Sequence, residues 1–147
     1  MKMHILLVDD EPAILFTLAF VLRTHGYKVS QAGDGLEALQ MAESARDQGE
    51  PFDLILTDIQ MPRMNGIEFI DALKVNGMTV PIFVLTGSRD MELMKRLKNK
   101  GCLEILFKPC DFKYLAARVN SILQPDTARS GAKRQAAGLS MELGAAP

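Results

Sequence analysis

Five residues of this chain are of the types that together handle a transferable anionic group. They are Asp9 and Asp10 in "LLVDDEP", Asp58 in "LILTDIQMPRMNG", Thr86 in "VLTGS" and Lys108 in "FKPCD". Each follows a short apolar run, so each belongs at the end of a buried strand. Three carboxylates gathered at one place repel one another and must hold protons or bind a cation. An all-oxygen ligand set suits a hard divalent ion, and Mg²⁺ takes one or two carboxylates while keeping waters and phosphate oxygens. One carboxylate of such a group can instead act as a nucleophile and take up a phosphoryl group as an acyl phosphate. A metal, a lysine and a hydroxyl then neutralise the transferring oxygens. Asp58 is the candidate nucleophile, because a charge set directly against a dry strand is costly unless it is paired or metal-bound.

The elements that must position these groups alternate along the chain. Strands are expected at His4 to Val8, Lys28 to Gln31, Asp53 to Thr57, Val80 to Leu85 and Leu103 to Phe107. The first, third and fourth are nearly continuous in Ile, Leu, Val and Phe, as in parallel strands covered on both faces. Helical patterns occupy residues near 12–25, 35–48, 65–76, 89–100 and 111–123. Pro12 opens the first helix, Gly26 closes it, Gly49 and Gly101 follow others, and Asp111 can cap the last. Five βα units in succession predict an α/β fold with right-handed crossovers, a (βα)5 doubly wound five-stranded parallel sheet with helices on both faces. In such sheets ligands bind beyond the carboxyl ends of the strands. Asp9, Asp10, Asp58, Thr86 and Lys108 should therefore meet on one rim.

Composition excludes several classes. The 147 residues suffice for one well-cored domain. The net charge is −1, and residues 125–147 hold only three of the 17 basic and two of the 18 acidic side chains. Neither part is charged enough to bind nucleic acid directly through bulk electrostatics. Cys102 and Cys110 make no disulfide framework or zinc pattern and read as buried reduced thiols, while His4 and His25 are isolated. The longest apolar run, Ala13 to Leu22, is too short to span a bilayer, and no signal-peptide layout opens the chain. A cytoplasmic location without membrane contact is expected. The domain is expected over residues 1–124, with 125–147, rich in Ala and Gly, a disordered tail too short for a helix-turn-helix output domain.

The four quoted segments resemble the hallmark segments of the response-regulator receiver domain of two-component signalling, over about residues 3–124, and that resemblance implies the flavodoxin-like strand order 2-1-3-4-5. The resemblance implies that Asp58 is the phosphoacceptor and that Asp9 and Asp10 form the acidic Mg²⁺ pocket, a site Mn²⁺ could also occupy. The backbone carbonyl of Gln60 would be a further metal ligand. Thr86 would be the switch hydroxyl, Lys108 the phosphoryl-contacting cation, Lys108–Pro109 a cis bond, and Gly66 would serve the turn after Met61-Pro62. Gln60 and Ser88 would flank the path of an attacking water. The implied role is a phosphorelay switch rather than an enzyme, phosphorylated by a histidine kinase or a histidine phosphotransfer protein and read by a downstream protein, with homodimerisation compatible. The chain could be a stand-alone regulator or a receiver cut from a larger regulator or hybrid kinase.

Three positions depart from that pattern, namely Ile105, Gly87 where Ala is common after the threonine, and Cys110 where Phe often follows the Lys-Pro pair, and the first helix adds a separate clue. Where the family usually has Tyr or Phe three residues before the lysine, this chain has Ile105, and Lys108-Pro109 pins the strand so that Phe107 cannot take its place by a register shift. In the first helix, Ile14, Leu18, Val21, Leu22 and His25 share one face at 100° per residue, leaving Phe16 and Phe20 opposite as an i, i+4 aromatic pair. That pair suggests a docking surface for a phosphodonor partner. Lys95, Arg96, Lys98 and Lys100 read as a solvated face of the fourth helix. Two other functions compete. A phosphorylation-independent interaction module would not need all five site residues. An aspartyl-nucleophile Mg²⁺-dependent phosphatase of the haloacid-dehalogenase type would carry Asp-x-Asp after the first strand, where this chain has "VDDEP".

Overall fold

Along β1 (His4–Val8), Ile5 and Leu7 face one side of the sheet while Leu6 and Val8 face the other, and all four are buried. The same alternation recurs in β3 (Leu54–Thr57) and β4 (Ile82–Thr86), which are buried along their whole length. A strand that is apolar on both faces can be satisfied only with helices above and below it. The computed structural model describes residues 2–124 and has that arrangement. β2 (Lys28–Ala32) and β5 (Glu104–Phe107) complete a parallel sheet of order β2-β1-β3-β4-β5. The expected fold class and strand order are the ones observed.

Two cores result. On one face, α1 (Pro12–Thr24) and α5 (Phe112–Leu123) place Leu18, Leu22, Leu115 and Val119 against Ile5, Leu7 and Leu56. On the other, α2 (Gly35–Asp47), α3 (Gly66–Val75) and α4 (Met91–Asn99) place Ala38, Phe69, Ile70, Leu73 and Leu97 against Leu6, Val8 and Ile55. Each large apolar side chain so buried stabilises the fold by roughly 1.5–3 kcal/mol before entropy is counted.

Several local expectations shift. Val80 and Pro81 lie outside β4: proline has no N–H to donate, and the Pro81 carbonyl only accepts from Ile55 N–H at 3.0 Å. Thr86 is the last residue of β4 rather than the first beyond it. The buried stripe of α1 is Leu18, Ala19 and Leu22, supported by Leu15 and Val21, whereas His25 is exposed and its Nδ1 lies 3.0 Å from the Val21 carbonyl. Spacing alone defines a stripe but not which of its edges turns inward. Cys102 and Cys110 are free but only half-buried. α4 begins at Met91, leaving Arg89 and Asp90 in the β4–α4 loop. The tail expectation concerns residues 125–147, which lie outside the described residues.

Capping agrees with the chemistry of the ends. Asp111 accepts from Lys113 N–H at 2.8 Å. Asp34 accepts from Glu37 N–H at 2.9 Å, and Asn65 with Glu68 forms a capping box at the start of α3. Gly66 closes the loop after Met61-Pro62, its N–H donating to the Ile59 carbonyl at 2.8 Å, and it also allows a close approach. A Cβ there would stand 2.3 Å from the Asp58 carbonyl oxygen and 2.8 Å from Ile59 Cα, so only glycine lets α3 start this close to β3. The left-handed residue of this loop is Arg63, at φ 65°.

Candidate functional site

The strand ends bring the five expected residues to one rim. Asp9 N–H donates to the Ala32 carbonyl at 3.1 Å and Asp58 N–H to the Val8 carbonyl at 2.9 Å, so sheet pairing runs up to both acids. Oxygens of Asp9, Asp10 and Asp58 lie within 4.8 Å of one another. Asp9 and Asp58 are buried and Asp10 is exposed. On the far side, Lys108 N–H donates to the Thr86 carbonyl at 2.8 Å, and the Lys108–Pro109 bond is cis.

Lys108 lies over the acids. Its Nζ is 2.9 Å from Asp9 Oδ2, 3.0 Å from Asp58 Oδ2 and 2.7 Å from Glu11 Oε1. The second oxygen of each buried acid has its own donor: Ile59 N–H at 2.6 Å for Asp58 and Glu11 N–H at 2.9 Å for Asp9. Burial raises the Asp9 carboxyl above the ordinary range, and the neighbouring Asp58 adds to this against the opposing pull of Lys108 and the Glu11 N–H. Burial alone would lower the Lys108 ammonium, but hydrogen bonds to Glu11, Asp9 and Asp58 outweigh it and the group is raised. Lysine stays charged here, and the acids still lack enough positive charge. That deficit, with oxygen as the only donor type, fits a hard divalent cation.

The flanking loops add further detail. Thr86 Oγ1 accepts from Ser88 N–H at 3.1 Å, which ties the hydroxyl to the β4–α4 loop. Arg89 in that loop lies over the Phe107 ring at 4.3 Å, a cation–π contact. Ile105 pairs with Val84 and packs against the core on the α2, α3 and α4 side of the sheet. Gln60 is exposed on the β3–α3 loop. That loop is clamped by Arg63, whose guanidinium binds the buried Asp34 carboxylate. Burial opposes ionisation of Asp34, but the Glu37 N–H and Arg63 hold it below the usual carboxylate range. Phe16 and Phe20 stand 74% and 63% exposed on α1. The rim thus includes Glu11, which was not expected, nor was the Arg89 contact on Phe107. Glu11 was visible only as the third acid of "DDEP".

Comparison with known proteins follows the same lines. Residues 5–120 match the family described as the response regulator receiver domain. This chain belongs to that family. Receiver domains are components of two-component signalling; they act in general as phosphoacceptor switches and typically bind Mg²⁺ at an acidic pocket. The receiver is 34% identical to the "Transcriptional regulatory protein ZraR" of Klebsiella oxytoca, over 83% of this chain and 26% of that protein. It is 34% identical to the "Response regulator MprA" of Mycolicibacterium vanbaalenii, over 93% of this chain and 57% of that one. The chain therefore spans well under two thirds of these relatives. Among solved structures, chemotaxis protein CheY4 of Vibrio cholerae superimposes with a TM-score of 0.75 at 33% identity, covering 84% of this chain and all (100%) of that one. A CheY-like receiver domain protein from Methanospirillum hungatei gives 0.74 at 30%, covering 88% and 99%. Among the described residues no helix is long and apolar enough to cross a membrane.

Proposed function

We propose that this receiver accepts a phosphoryl group on Asp58 from a phosphohistidine of a histidine kinase or phosphotransfer protein, and that the acyl phosphate switches its affinity for a downstream protein. The observation that carries the reading is the Asp58 carboxylate itself. It is 7% exposed, one oxygen is held by a backbone N–H and the other by Lys108, and two further carboxylates lie alongside. A carboxylate this costly to bury is accounted for when it is the reacting group.

Asp9, Asp10, Asp58 and the Gln60 carbonyl would hold Mg²⁺, or Mn²⁺ in its place. When bound, the ion supplies positive charge to the transferring oxygens. The chain's own residues do the rest. Ile59 N–H fixes the Asp58 carboxylate, one oxygen of which forms the new P–O bond. The P–N bond of the donor breaks, and its electron pair leaves on the imidazole nitrogen. Lys108 follows the charge onto the phosphoryl oxygens, and Thr86 can turn its hydroxyl from the loop to donate to one of them. Domain limits of 1–124, a cytoplasmic location, a non-enzymatic role and docking of the donor on Phe16 and Phe20 belong to the same reading. The chain is a signalling switch that assists its own modification.

The test is incubation with a small phosphodonor and Mg²⁺. One hydroxylamine-labile phosphate should appear, EDTA should prevent it, and Asp58→Asn should abolish it. Undiminished labelling of Asp58→Asn would overturn the assignment.

A further inference from the structure

The Lys108 ammonium has three N–H donors. Three carboxylates lie on it, at 2.7 Å (Glu11), 2.9 Å (Asp9) and 3.0 Å (Asp58). Its donors are filled, so an incoming phosphoryl oxygen can reach Lys108 only if one carboxylate lets go. The three are not equally able to do so. The Asp9 and Asp58 side chains are 5% and 8% exposed, and each is also held by a backbone N–H. The Glu11 side chain is 57% exposed, and among the described residues Lys108 is its only ion-pair partner. Returning Glu11 to water costs little, whereas Asp9 and Asp58 can leave Lys108 only when the proposed Mg²⁺ and the new acyl phosphate at Asp58 take over their charge; Glu11 is the carboxylate that neither relieves and that stays to compete for the ammonium.

A second observation concerns why Glu11 stands where it does. It is the N-cap residue of α1, yet its side chain makes no capping hydrogen bond. The carboxylate reaches instead to a lysine 97 positions away. We infer that Glu11 is a positioning residue that competes with the phosphoryl group for the Lys108 ammonium and so sets how readily Asp58 accepts and keeps phosphate. The inference rests on the phosphoacceptor reading. In the resting receiver the Glu11–Lys108 pair holds the ammonium over the acids; in the phosphorylated one Lys108 trades Glu11 for a phosphoryl oxygen.

Beryllofluoride with saturating Mg²⁺ reports this exchange without turnover. Its affinity is measured by titration for the wild type, Glu11→Gln and Glu11→Asp, with Mg²⁺ affinity measured separately. An exposed ion pair of this kind is worth up to about fivefold, so both variants should bind beryllofluoride about two- to fivefold more tightly. Glu11→Asp keeps the charge but is one methylene too short to hold Lys108, and it can cap α1 instead. Mg²⁺ alone should bind no more tightly to either variant. Three results would overturn the inference: equal beryllofluoride affinity in all three proteins; a gain in Glu11→Gln only, which would assign the effect to net charge; or an equal gain for Mg²⁺ alone. A wild type that takes up no beryllofluoride would defeat the phosphoacceptor reading itself.

Discussion

At the level of single residues, the site is an excess of negative charge restrained by one lysine. Removing an acid from it should therefore relieve repulsion while weakening the cation site. Asp10→Asn is expected to bind Mg²⁺ at least tenfold more weakly, on the order of the loss of one charged ligand. Its metal-free thermal midpoint should be equal to or higher than that of the wild type. Calorimetry with and without Mg²⁺ checks both, and an unfolded variant would make Asp10 structural. The same residue-level chemistry bears on lifetime. Gln60 and Ser88, on the two loops that flank Asp58, carry neither a carboxylate nor an imidazole. No side chain there can act as general base toward water at neutral pH. The acyl phosphate should last minutes or longer, followed by loss of label after the donor is removed; decay within seconds without a phosphatase would contradict this.

Elements transmit what residues start. α3 begins against the Asp58 carbonyl because Gly66 has no Cβ, and Gly66→Ala should cost about 1–3 kcal/mol by overpacking a junction made partly of backbone. Urea denaturation measures it, and a loss under about 0.5 kcal/mol would mean that the junction relaxes freely. The β4–α4 loop is the second junction. It holds the Thr86 hydroxyl through Ser88 and grips Phe107 through Arg89, while Ile105 supplies no ring to swap between buried and exposed positions. A ligand shifts a conformational equilibrium only through its differential interaction with the two states. Amide shifts on adding beryllofluoride and Mg²⁺ should therefore concentrate in residues 86–90, with a smaller response across 91–115 that Ile105→Tyr enlarges. Equally large shifts throughout 91–115, unchanged in Ile105→Ala, would contradict this route.

For the whole molecule, the fold was legible because β1, β3 and β4 are nearly unbroken apolar runs, and only a parallel sheet covered on both faces accepts several such runs. The rim was legible because the chemistry follows each strand directly. What escaped were contacts that the fold makes across the chain: Glu11 with Lys108, Arg63 with Asp34, and Arg89 with Phe107. Each joins segments whose spacing in sequence carries no period, so pattern alone cannot pair them. The inward edge of α1 escaped for a related reason, since an amphipathic stripe does not report the tilt at which the helix meets its sheet. The proposed acceptor of the phosphoryl group is Asp58. The most direct measurement is to phosphorylate the intact chain with a small phosphodonor and Mg²⁺, reduce the acyl phosphate with borohydride, and locate the resulting homoserine by tandem mass spectrometry. The account predicts homoserine at position 58 and nowhere else; homoserine at position 9 or 10 would contradict it.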